Sequence, residues 1–149
     1  MILPSRKLFY VVEAVVTIAY NAGQGAISSR EIAQRQCLPP RYLEQLMQTL
    51  VRAGLLRGMR GPRGGYVLAR ERRRITLADI YQALGEEKED EHKGYKPTKL
   101  GELVVHPAWE KLSEGMLENL KKINLADLCE EAEKKQISKN AEEKADFII

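Results

Sequence analysis

Residues 41–70 read RYLEQLMQTLVRAGLLRGMRGPRGGYVLAR, and a change of period inside this stretch decides the fold. Its first half spaces Leu43, Leu46, Met47 and Leu50 three and four residues apart, one apolar face of a helix. Arg41, Tyr42, Glu44, Gln45, Gln48 and Arg52 fall on the polar face, and Gly54 ends the helix. Two short strand candidates, 55–59 and 66–68, then flank Arg60-Gly61-Pro62-Arg63-Gly64-Gly65, so the second half reads as a hairpin with an arginine-bearing, glycine-rich tip. No Gly-Lys-Ser/Thr follows these glycines, which excludes a phosphate-binding P-loop.

Working toward the N-terminus, Pro39-Pro40 suit the entry of the helix over about 40–53, because proline is tolerated where the amide has no partner. Cys37-Leu38 make a tight turn, preceded by a short helix over about 28–36 for which Ser28 and Glu31 form a capping box. Residues 5–22 carry Leu8, Val11, Val12, Val15, Ile18 and Ala19 at helical spacing. Toward the C-terminus, Thr76 and Asp79 cap a helix over 77–84, and a polar stretch, GEEKEDEHKGYKPTK, follows from Gly85. From about 107 to 123 Trp109, Leu112, Met116, Leu120 and Ile123 form a narrow stripe suited to a helix partner. Leu125, Leu128 and Cys129 continue into a shorter helix, and the remainder is charged.

Helix, short helix, turn, longer helix and hairpin predict a mainly α fold with a small β-hairpin: a winged helix-turn-helix domain plus a long dimerisation helix. The divisions expected are the winged domain over 1–84, a linker over 85–105, the dimerisation region over 106–130 and a charged tail over 131–149. Charge divides at the same place. Residues 1–84 hold 13 Lys+Arg against 5 Asp+Glu, and residues 85–149 hold 11 against 16, so a net +3 conceals +8 and −5. All twelve arginines lie in the first part, the pattern of a surface that faces a polyanion. A helix with exposed side chains fits the major groove of double-stranded DNA, and guanidinium groups on a hairpin tip reach phosphates or the adjacent groove.

A length of 149 residues excludes sequential multidomain arrangements, and 30% charged with 44% hydrophobic residues excludes full disorder. Glu13 interrupts the apolar run near the N-terminus, so neither a signal peptide nor a membrane span is expected, and the compartment predicted is the cytoplasm, at the nucleoid. Two distant cysteines make neither a disulfide framework nor a zinc finger. No Ser/His/Asp set or carboxylate pair stands in a catalytic context, so no enzyme is expected.

The run 41–70, with SSREIAQRQ before it and ITLADIYQAL after it, resembles the Rrf-two family of bacterial transcription regulators. YLEQL, the RGPRGGY wing and LADIYQAL carry the resemblance, which extends over about residues 5–128. It implies a homodimeric regulator, in the leading reading a repressor, that sets two winged domains on a palindromic operator, with Trp109, Leu112, Met116, Leu120 and Ile123 in the dimer contact. Arg41, Tyr42, Glu44 and Gln45 fall on the family's recognition-helix positions and Arg60, Gly61 and Pro62 on its wing. Arg63 adds a charge where glycine is often found, and Ser28 and Gln48 complete the candidate DNA-binding set. Glu44 would act as a filter, since a carboxylate accepts from cytosine N4 and repels phosphate.

Cluster-binding members of that family place three cysteines in the linker corresponding to about 91–103, ahead of a histidine. This chain keeps the histidine, His106, and has no cysteine in that region, so no iron-sulfur cluster and no metal are expected in the usual site. Cys37 and His106 are the candidate sensor residues. Against that role stand Cys37 as a buried small hydrophobe and His106 as a cap or packing residue of the dimer helix. Sensing remains open among a small-molecule ligand, a protein effector and thiol oxidation. The competing function class is a winged-helix protein-interaction module without specific DNA binding.

Overall fold

A computed structural model describes residues 5–85 and 93–139. Helices α1 (Arg6–Tyr20), α2 (Ser29–Gln36) and α3 (Pro40–Arg52) come first, followed by strands β1 (Leu56–Met59) and β2 (Gly65–Leu68). After a short 3₁₀ turn at Arg72–Arg74 come α4 (Leu77–Leu84), α5 (His106–Lys121) and α6 (Leu125–Lys134). The expected class, mainly α with one hairpin, is what is observed, with the boundaries of α1 to α4 within two residues of the periodicity reading. Parts of the expected linker and tail, 86–92 and 140–149, lie outside the described residues.

The core is built on α1. Val11, Ala14 and Val15 are fully enclosed, and α2, α3, α4, α6 and β2 all pack on this helix. Leu43, Met47 and Leu50 bury the apolar stripe of α3, and Ile32, Ile75, Ile80 and Leu125 close the interior. Each buried aliphatic side chain of this size stabilises the fold by about 1.5–3 kcal/mol.

Two helices start from one junction. The Leu77 amide donates to the Ile123 carbonyl at 2.9 Å and the Leu125 amide to the Ile75 carbonyl at 2.9 Å, a short antiparallel bridge between residues 75–77 and 123–125. Thr76 and Asn124, paired in that bridge, each head a reciprocal capping box, with Asp79 for α4 and Asp127 for α6. The junction folds α6 back onto α1, so Leu125 and Cys129 share the core of the winged part.

The cap of α2 is only half of the expected box. Ser28 Oγ accepts from the Glu31 amide at 3.1 Å, but the Glu31 carboxylate instead takes Arg35 Nη2 at 2.7 Å, one turn along the helix. Helical structure also begins earlier than expected ahead of α5. Residues 99–100 are helical and Gly101–Val105 form a π-helical turn that runs directly into His106. The end of the expected linker is therefore helix, with Leu100, Leu103 and Val104 exposed on it.

Candidate nucleic-acid interface

The turn that aims α3 is made by Cys37, which adopts a left-handed conformation (φ 54°) at the end of α2. The amides of Cys37 and Leu38 donate to the carbonyls of Gln34 (3.3 Å) and Ala33 (2.9 Å), using carbonyls that α2 leaves unpaired. Cys37 is exposed, with Sγ 3.9 Å from the Gln34 carbonyl, so the expectation of a buried small hydrophobe is wrong. A helix-ending residue sits outside the packed face.

With its apolar stripe buried, α3 presents Arg41, Tyr42, Glu44, Gln45 and Gln48 on the surface. The wing lies alongside. β1 and β2 pair antiparallel with Leu56 opposite Leu68 and Met59 opposite Gly65. Ile27 extends the sheet by one bridge: its amide donates to the Tyr66 carbonyl at 3.2 Å and its carbonyl accepts from the Tyr66 amide at 2.8 Å.

The glycines of the tip have different causes. Gly61 has φ 110°, open to glycine and strained for other residues, and its carbonyl accepts from the Gly64 amide at 2.8 Å. Gly64 and Gly65 are required by space instead. A Cβ on Gly64 would lie 2.7 Å from the Met59 carbonyl oxygen, and one on Gly65 would overlap the Ile27 carbonyl and lie 2.6 Å from the Ser28 nitrogen. The wing therefore presses directly on the start of α2.

This contact creates a shallow groove of about 350 Å³ that brings together Ser28, Glu44, Gln48 and Arg60, with Ser29, Met59 and Tyr66 also lining it. A second depression of about 360 Å³ joins Arg41, Glu44, Gln45, Gln48 and Arg52. Tyr42, Gly61, Pro62 and Arg63 line neither groove, and are exposed on the same helix and tip. Ser29, Arg52, Met59 and Tyr66 were not among the candidate DNA-binding residues. Arg52 is legible in hindsight, since it stands four residues after Gln48 on one helix face. Ser28 serves twice, as the α2 cap and as groove lining.

Among the described residues, no carboxylate lies within 4.0 Å of Arg41, Arg60 or Arg63. Their charges are uncompensated at short range, the condition a phosphate backbone exploits.

The α5 stripe divides. Trp109 and Leu112 are 60% and 53% exposed and Met116 is half-buried, whereas Leu120, expected to face a partner, is 7% exposed and enclosed in its own chain where α5 meets α4. Ile123 lies past the helix end, its side chain partly exposed. His106 caps nothing, contrary to expectation, because the helix has already begun at residue 99. It is exposed, with Nδ1 3.6 Å from Glu110 Oε1.

A family model described as Rrf2, "Iron-dependent Transcriptional regulator", matches residues 4–131. The chain belongs to the Rrf2 family. An HTH-type transcriptional regulator of Synechocystis sp. is 36% identical over 144 residues, covering 96% of this chain and 97% of the relative. IscR of Xenorhabdus nematophila is 32% identical over 126 residues, 83% of this chain and 77% of its own. Among solved structures, T. potens IscR superposes with a TM-score of 0.73 at 37% identity, covering 92% of this chain and 93% of its own. CymR, the global cysteine regulator of B. subtilis, gives 0.67 at 30% identity over 87% and 98% of the two chains.

This Rrf2 protein is thus a DNA-binding transcriptional regulator of the helix-turn-helix type and not an enzyme. α3 stands at the second helix of the motif and β1–β2 at the wing. Among the described residues no helix is long and apolar enough to cross a membrane. Also among them, no group of three His, Cys, Asp or Glu side chains is placed to hold a metal ion.

Proposed function

We propose that the protein is a homodimeric repressor acting in the cytoplasm, at the nucleoid, that binds a palindromic operator. α3 lies in the major groove, and the wing lies on the adjacent groove and backbone. The observation that carries this reading is the groove joining Ser28, Glu44, Gln48 and Arg60, where an acceptor able to read base edges stands beside a guanidinium able to grip phosphate. Arg41 and Arg63 extend the positive surface to either side.

A second copy of the chain covers the apolar face of the 99–121 helical stretch. Leu100, Leu103, Val104, Trp109 and Leu112 are each more than half exposed there, a concentration of apolar surface that marks an interface. A two-fold pair requires inverted half-sites, spaced by one helical turn of about 10 base pairs or a multiple of it.

The reading includes no iron-sulfur cluster. The donors at the family's cluster region do not fit one: residues 91–106 hold two histidines, His92 and His106, and no cysteine, and Cys129 is enclosed in the core. Cluster irons require thiolates. Anaerobic reconstitution followed by iron and sulfide analysis is expected to leave the protein colourless, and stoichiometric iron with visible absorbance overturns this part.

Recovery of bound fragments from sheared genomic DNA tests the function itself. One enriched inverted repeat is expected. Retention of no motif refutes sequence-specific regulation and favours docking of another protein on the winged domain.

A further inference from the structure

We infer that Tyr66, a wing residue almost wholly buried, sets base preference by holding Gln48 of α3 as a hydrogen-bond acceptor toward the DNA. The inference rests on the DNA-binding reading and assigns a role that the winged arrangement alone does not contain.

Gln48 Nε2 donates to the Tyr66 hydroxyl at 2.9 Å. A glutamine amide carries one acceptor oxygen and two N–H donors on one nitrogen, so holding that nitrogen on Tyr66 uses one donor and fixes the amide's orientation, leaving Oε1 wholly free to accept from an outside partner. Tyr66 is a fixed anchor. It is 6% exposed, sits opposite Gly58 in the β-ladder, and is held to Ile27 by hydrogen bonds in both directions. That pair of hydrogen bonds to Ile27 exists because Gly65 lets the wing approach the start of α2.

Gln48 itself is exposed, and a free glutamine on a helix surface samples many rotamers. Held by Tyr66, it enters the groove already oriented, and less conformational freedom is lost on binding. Glu44 stands one turn earlier on the same face and lines the same groove, so α3 presents two acceptors in a row. Two acceptors select exocyclic amino groups, cytosine N4 or adenine N6, and disfavour guanine O6 and thymine O4 at the contacted positions. The wing and the recognition helix then act as one reading unit, with Tyr66 as its positioning residue.

The experiment is selection from random duplex DNA by the full-length wild type and by Tyr66→Phe, Gln48→Ala and the double variant. Tyr66→Phe removes one hydroxyl and keeps the buried ring, and Gln48→Ala changes an exposed side chain, so both fold; melting curves verify this. The wild type is expected to require cytosine or adenine at one position per half-site. Tyr66→Phe should relax that preference about two- to tenfold, the loss of one neutral hydrogen bond. Gln48→Ala should relax the same position at least as far, and the double variant should go no further than Gln48→Ala.

Relaxation at different positions, no relaxation in Tyr66→Phe, or a guanine or thymine at the affected position overturns the inference while leaving the proposed function standing. A wild type that selects no motif overturns both.

Discussion

Replacing Gly65 by alanine tests the contact on which the whole interface depends. The new Cβ would overlap the Ile27 carbonyl and sit 2.6 Å from the Ser28 nitrogen, and both neighbours are backbone that cannot rotate away. Relief requires the wing to lift from the start of α2. That movement breaks the two Ile27–Tyr66 hydrogen bonds, worth about 0.5–1.5 kcal/mol each, in addition to an overpacking cost of about 1–3 kcal/mol. The expected destabilisation is about 2–6 kcal/mol, or roughly 4–24 °C in melting temperature for a chain of this length. Urea denaturation at fixed protomer concentration measures it, since the stability of an oligomer depends on concentration. Gly58→Ala, in the paired strand with nothing within 4 Å of the added methyl, is the control and should stay within about 0.5 kcal/mol of wild type. A Gly65→Ala protein as stable as that control refutes the account of how the wing is seated.

Further outcomes follow from individual residues. Arg60→Ala should weaken operator binding by about 1–3 kcal/mol and leave the melting temperature unchanged; a mobility-shift titration reads the first and calorimetry the second. Trp109→Asp combined with Leu112→Asp should yield folded monomers by sedimentation, because both side chains are exposed within the protomer, whereas Leu120→Ala should cost about 2–5 kcal/mol of stability. Asn124→Ala removes the capping box of α6 and should cost about 0.5–2 kcal/mol, seen as a lower urea midpoint. Burial raises the Cys129 thiol pKa; Glu133 adds to the rise, and Arg72 and Lys139 oppose it. A raised folded-state value means that the thiol's contribution is complete below the ordinary thiol range and lost as pH climbs through the folded-state value. Unfolding free energy should therefore fall above about pH 8.5, and Cys129→Ala should flatten that fall relative to wild type.

Much of the winged part is legible in sequence because its signals are local. The α3 stripe, the Pro39-Pro40 entry, the Thr76–Asp79 box and the Gly-rich tip each lie within a few residues of what they specify. The features that escaped are those in which distant residues compete. Glu31 has two available partners, and only the folded geometry gives its carboxylate to Arg35 rather than to the cap. Leu120 belongs to the same heptad stripe as Trp109 and Leu112, and packing of α5 on α4 is what turns it inward. The π-helical turn at 101–105 hides because the polar stretch before it suggests a loop, although Leu100, Leu103 and Val104 are apolar. The Gln48–Tyr66 hydrogen bond joins residues 18 apart on a helix and a strand, a pairing that no periodicity reports.

The +8 excess on residues 1–84 is now placed in part: Arg41, Arg52 and Arg60 line the grooves and Arg63 is exposed on the wing, while Arg72 faces Cys129 of α6. The central claim is that this surface grips a DNA backbone while α3 reads its bases. The most direct measurement is the affinity for the selected duplex across a series of salt concentrations. The account predicts a steep linear decline of log K with log salt, about −0.9 per phosphate contacted. It also predicts a slope shallower by about 0.9 for each of Arg41, Arg60 and Arg63 that lies on a phosphate when it is replaced by alanine. A flat salt dependence in the wild type, or a slope untouched by the triple replacement, contradicts it.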